Sequence, residues 1–153
     1  MTVSINYPDS LPLPIRNGYQ VNHVSPMMRT ELDTGRARQR RRYTSVPSIV
    51  SVSWIFTQPQ AAVFESWFRY GLVDGAEWFN ARLRTPLGLE SYECRFAEMY
   101  SGPVLVGKLL WQFTAELELR ERQTLFGDWS VAPEYVEFAD LFDLAMNQEW
   151  PPA

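Results

Sequence analysis

The residue types that usually carry chemistry are scarce in this chain. Its 153 residues hold one cysteine, Cys94, and one histidine, His23. An internal disulfide and a Cys/His zinc cluster are therefore excluded, and most nucleophile–base dyads go with them. Cys94 lies between Tyr92 and Phe96 in an alternating stretch, where a buried apolar thiol is the expected state. His23 sits in a proline-bearing leader without an evident partner. Glu116 and Glu118 are paired carboxylates, but they fall on the solvent face of a predicted strand, an arrangement common in proteins that catalyse nothing. There is no phosphate-cradling glycine loop, no G-x-S-x-G elbow and no H-E-x-x-H. No enzyme activity, cofactor or metal is expected.

The conspicuous feature is charge. Residues 1–56 carry seven Arg against Asp9, Glu31 and Asp33, whereas residues 57–153 carry seven basic and fifteen acidic residues. The net charge of −4 thus divides into +4 and −8. Most of the positive charge lies in Gly35-Arg36-Ala37-Arg38-Gln39-Arg40-Arg41-Arg42, while the stretch after Arg122 has six acids and no base. Lys108 is the single lysine, and such Arg usage favours planar, bidentate pairing with carboxylates or phosphates. Two readings follow. The run can track nucleic-acid phosphates, or it can dock on an acidic protein surface. The isoelectric point near 5.0 and the lack of a helix-turn-helix, finger or aromatic RNA-binding signature disfavour nucleic acid. Docking accounts for both halves of the chain, with Arg36, Arg38, Arg40, Arg41 and Arg42 as donors. Their acceptors are expected among Glu116, Glu118, Glu134, Glu137, Asp140 and Asp143, and Trp129 and Trp150, outside the periodic segments, are candidate interface anchors.

The elements that must position these groups are legible in part. With 46% hydrophobic residues the chain can bury a core, most simply in one domain. No apolar run reaches the roughly 18 residues of a membrane helix, and the first thirty residues lack the order of a secretory signal, so a soluble intracellular product is expected. Residues 1–44 show little periodicity. Pro8, Pro12, Pro14 and Pro26 block helix and interrupt any ladder, so an extended Arg-rich arm is expected. Residues 45–124 read as a β domain. Val50, Val52, Trp54 and Phe56 share one face at period two, and Thr57 and Gln60 form a capping box that opens a helix over 58–70, with Phe64, Trp67, Phe68 and Leu72 inward. Residues 78–84 and 92–100 read as a hairpin. The stretch 109–122 reads as a long strand with Trp111, Phe113, Ala115, Leu117 and Leu119 facing the core. The many aromatics at these inward positions read as core more readily than as a ligand pocket. Residues 125–153 are expected to hold an acidic amphipathic helix opened by Pro133, and then an irregular tail.

Several local patterns recur together: Tyr7-Pro8-x-x-Leu11-Pro12-x-Pro14; Gly35 with the Arg run; Trp54-x-x-Thr57-x-x-Gln60-x-x-x-Phe64-x-x-Trp67; Gly75-x-x-Trp78-Phe79; Arg95-Phe96; and the closing strand through Trp111 and Leu117. In this order they resemble small structural proteins from the tail modules of tailed bacteriophages. That resemblance implies a mainly β (α+β) fold, an antiparallel β-sandwich or split barrel with one packed helix. It also implies assembly with other phage tail proteins into hexameric or trimeric homo-oligomeric rings through arms and long hairpins. The expected place is the virion, in a tube, terminator, neck or baseplate role, after synthesis in the host cytoplasm. The acidic helix after Pro133 is an addition to that plan.

Overall fold

The computed structural model describes residues 3–33, 35–125, 127 and 131–149, with only the backbone at 142 and 146–149. It is mainly β, with 42% strand against 19% helix. The chain divides into two compact units, residues 1–123 and 124–153.

The first unit is built on two long strands whose apolar residues alternate. They are β4 (Ser48–Thr57) and β8 (Leu110–Leu119). Their antiparallel register places Val50 opposite Leu117, Trp54 opposite Phe113 and Phe56 opposite Trp111 on one face, with Ser51 opposite Glu116 and Ile49 opposite Glu118 on the other. Because side chains alternate across a sheet, this register buries the first set and leaves the second toward solvent. The hairpin β5 (Phe79–Thr85) and β6 (Gly88–Phe96) joins through β6, whose end pairs with β8 at Cys94–Phe96. Beside the other half of β8 lies β7 (Ser101–Val106). The hairpin turn is tighter than the expected one, so β6 starts at Gly88 and ends at Phe96, and the chain beyond it forms β7 instead of prolonging β6.

Helix α1 (Gln58–Ser66) starts where expected, with the Thr57 N–H donating to Gln60 Oε1 at 3.0 Å. It passes into a wider π turn over Trp67–Gly71, in which the Leu72 N–H reaches back to the Trp67 carbonyl at 3.1 Å. Phe64, Phe68 and Leu72 are buried under it. Gly75 has φ +84°, and a Cβ there would stand 2.8 Å from Phe68 Cε2, so close packing of the turn on that ring requires glycine.

The leader departs from a wholly extended arm. Residues 3–23 lie against the sheet: Asn6 bridges Asn80 on β5, the Ile15 N–H bonds to the Ser53 carbonyl on β4, and β1 (Gln20–His23) pairs with β4 over Ser48–Ser51. The anchors are Leu11, which is buried, and Tyr7, whose ring stacks on Trp54 at 6.4 Å and meets Trp67 edge-on at 5.5 Å. Apolar burial repays the ordering of this segment, which its prolines make cheap to hold extended. The Arg run is also not irregular. It forms β3 (Ala37–Arg41), paired antiparallel with β2 (Met27–Glu31) in a separate two-stranded ribbon. Proline blocks a ladder only where it stands, and neither strand contains one.

The second unit consists of α2 (Pro133–Glu137) and α3 (Ala139–Glu149), interrupted at Phe138 where φ is −110° and ψ 16°. The single helix expected from Pro133 is thus two.

Candidate interaction surfaces

All ten residues of the β2–β3 ribbon are exposed. Directly opposed residues of an antiparallel pair project to the same side, so the register sorts the ribbon into two faces. Met28, Arg40, Thr30 and Arg38 share one; Met27, Arg41, Arg29, Gln39, Glu31 and Ala37 share the other. The first face carries two guanidinium groups and no carboxylate. Arg41 is turned back on its own chain, donating to the carbonyls of Tyr43 at 2.9 Å and Thr44 at 2.7 Å, and Arg42 lies 5.2 Å from the Tyr43 ring. Those two therefore hold the base of the ribbon, which leaves Arg36, Arg38 and Arg40 as the cations the run presents, with Arg29 of β2 on the other face, which also carries Glu31. None of the five forms an ion pair among the described residues.

The expected acceptors separate into three groups. Glu118 is taken: Arg95, opposite it in the β6–β8 register, donates to Oε2 from Nε at 3.0 Å and Nη2 at 2.9 Å. Arg95 also lies 4.8 Å from the Trp78 ring, which Arg120, paired with Glu93 at 2.8 Å, approaches from 5.8 Å. Glu116 is exposed beside Glu98 in a hollow of 330 Å³, whose other polar walls are Ser51, Ser53, Ser101 and Thr114. Two carboxylates among hydroxyls, with no cation in the lining, suit a guanidinium donor. Glu98 carried no signal in the sequence, where it falls within the strand expected over 92–100; β6 ends at Phe96, and the bend that follows brings Glu98 to the Glu116 side of β8. Glu134, Glu137, Asp140 and Asp143 are exposed on α2 and α3 of the second unit, beside exposed Tyr135, Phe138, Leu141 and Leu144. Trp129 and Trp150 lie outside the described residues.

The two residues best suited to chemistry are occupied otherwise. His23 Nδ1 meets Ser48 Oγ at 2.8 Å, directly across β1 and β4, but Ser48 is fully buried and its hydroxyl is closed to a substrate. Cys94 is also fully buried, with its thiol 3.6 Å from the Phe79 carbonyl. Burial pushes that thiol well above its ordinary value, and burial likewise raises the Tyr7 hydroxyl. Among the described residues no three His, Cys, Asp or Glu side chains lie close enough to hold a metal, and no helix is long and apolar enough to cross a membrane.

A pH dependence follows. In the unfolded chain the thiol ionises near pH ~8.5 and the phenol near ~10. In the folded chain both stay protonated well beyond those values, so the unfolded state releases protons first. Stability contributed by these groups is intact below about pH 8 and declines as pH rises, by about 1.4 kcal/mol per pH unit from the thiol alone once its unfolded-state ionisation is passed. Urea midpoints at pH 7, 9 and 10 should fall in that order, and Cys94→Ala should flatten the drop between 9 and 10. An equal drop in the variant would refute the assignment to Cys94.

No family model, no curated protein and no solved structure matches this chain.

Proposed function

We propose that this chain is a non-enzymatic virion component of a tailed bacteriophage, a ring-forming tail, neck or baseplate subunit whose cationic ribbon docks on an acidic surface of its neighbour. The carrying observation is the β2–β3 ribbon itself. A two-stranded ribbon alone in water is marginal at best and needs a further surface for stability, yet all ten of its strand residues are exposed. One face offers Arg38 and Arg40 with no carboxylate beside them. The Glu98–Glu116 hollow on the body has the complementary chemistry. In a closed ring each subunit contributes two different surfaces, so a donor ribbon and an acceptor hollow on one chain fit heterologous closure.

The finer architecture belongs to the same reading. Residues 3–23 hydrogen-bond to β5 through Asn6 and Tyr7 and to β4 through Ile15 and β1. A segment that spans two free edges in this way favours a split barrel over an open sandwich.

The test replaces Arg36, Arg38 and Arg40 with Ser and leaves Arg41 and Arg42 in place. Thermal melting should be unchanged, while ring formation in sedimentation, alone or with the tail proteins encoded beside this chain, weakens by about a hundredfold, as loss of close charge pairs entails. Undiminished rings in the variant would overturn the proposal, as would a wild-type protein that stays monomeric in every mixture. So would retention of random-sequence DNA that falls steeply between about 50 and 200 mM salt, the behaviour of a phosphate-tracking ribbon.

A further inference from the structure

On the outward face of β5, Arg82 and Arg84 project two residues apart, between the buried Ala81, Leu83 and Thr85. Arg16, on the N-terminal segment, faces them across a cleft of 570 Å³ with apolar walls that include Leu13, Ile15 and Leu89. Tyr19 holds one side of the cleft, its hydroxyl donating to the Arg84 carbonyl at 2.7 Å. No carboxylate lines this cleft, although Arg82 also borders an adjoining hollow that holds Asp9 and Glu90, and none of the three arginines forms an ion pair among the described residues. Three like charges facing one another repel, and an anionic occupant relieves that repulsion. The apolar walls select an occupant with more than charge.

We infer that this groove takes an acidic amphipathic peptide segment, the α2–α3 segment of a second copy of the chain. Three observations converge on that occupant. The stretch after Arg122 contains no Lys or Arg, and Glu134, Glu137, Asp140 and Asp143 recur at every third position. Tyr135, Phe138, Leu141 and Leu144 are exposed alongside them, so the segment supplies both halves of what the groove asks for. Finally, α3 has eleven residues, below the roughly 12–15 at which an isolated helix holds itself in water, so its order calls for a docking surface. A bare phosphate would satisfy the guanidinium groups and leave the apolar walls empty. That the segment comes from a second copy rests on the ring proposed above, where each subunit gives one segment and receives one.

The test uses full-length protein with benzoylphenylalanine in place of Tyr135, assembled from an equal mixture of ¹⁴N and ¹⁵N chains, irradiated and mapped by mass spectrometry while sedimentation records ring formation. Mixed-label adducts on residues 13–19 and 82–89 are expected. Their yield should fall at least tenfold when Arg16, Arg82 and Arg84 are replaced by Ser, with the thermal melt unchanged, because all three side chains are exposed. Rings with adducts elsewhere, or with adducts only within single-label chains, would overturn the groove assignment and leave the ring standing. Absence of rings would take down the ring proposal and, with it, the second copy as donor.

Discussion

Phe64→Ala should lower the stability of the first unit by about 4 kcal/mol, near the upper end for loss of a buried ring. Phe64 is fully buried, and four rings surround it at 5.0–5.4 Å: Phe113 from β8, Phe56 and Trp54 from β4, and Tyr100 from the chain before β7. Truncation removes the transfer energy of the ring and leaves a void that cannot close, because its walls are rigid aromatics held by three separate elements. The neighbouring Val63 is exposed, so Val63→Ala should change stability by less than about 0.5 kcal/mol. Urea unfolding of the pair reads the contrast, with an unchanged slope for both variants. At about 4 °C per kcal/mol for a unit of this size, the Phe64 variant should melt roughly 15 °C lower. A loss below about 1.5 kcal/mol would mean that the aromatic cluster relaxes around the gap and that α1 is not its keystone.

What could be read in advance was what hydrophobic alternation encodes. Strands β4 and β8 carry one buried and one solvent face, so Val50 to Phe56 and Phe113 to Leu119 announce themselves at period two. Helix α1 announces itself through Thr57 and Gln60. The β2–β3 ribbon has no buried face, so nothing alternates, and Met27 to Arg41 reads as irregular although Met27–Glu31 is paired residue by residue with Ala37–Arg41. Ser101-Gly102-Pro103 falls between the stretches read as strands and holds the two residue types that break most strands, yet β7 lies beside β8 with a register shift between Ser101 and Val104 that accommodates them. The π turn after Ser66 leaves no mark in a pattern of period 3.6.

The interaction surfaces were legible as charge and not as geometry. Five arginines in a row of seven are visible in any reading, but strand pairing decides which of them face outward together, and local carbonyls decide that Arg41 does not. Glu118 looks equivalent to Glu116 along β8, and only the register against β6, which sets Arg95 opposite it, consumes one and spares the other. The Arg16, Arg82 and Arg84 groove joins residues more than sixty positions apart, a distance over which no local pattern carries information.

Tyr7→Ala is the second large effect, and it tests whether the leader is part of the fold. The ring is packed between Trp54, stacked with an interplanar angle of 14°, and Trp67, met at 85°. Its hydroxyl donates to the Pro12 carbonyl at 2.8 Å, and its N–H donates to the Asn80 carbonyl at 2.8 Å. Losing an aromatic at such a site costs about 3 kcal/mol, while Tyr7→Phe, which keeps the ring and removes one hydrogen bond, should cost about 1 kcal/mol. The locus of the damage discriminates more sharply than its size. With the ring gone, residues 3–15 lose their main anchor, so amide exchange at position 7 and Asn80 should accelerate far more than exchange of the amides that β4 and β8 bond to each other, a pairing that does not pass through the leader. Uniform acceleration across the unit would show that Tyr7 acts only through global stability, and unchanged protection at Asn80 would show that the leader is held on β5 by its backbone alone. In the expected case the segment comes away while the two long strands persist, and one tyrosine is what fastens the N-terminal segment to the sheet.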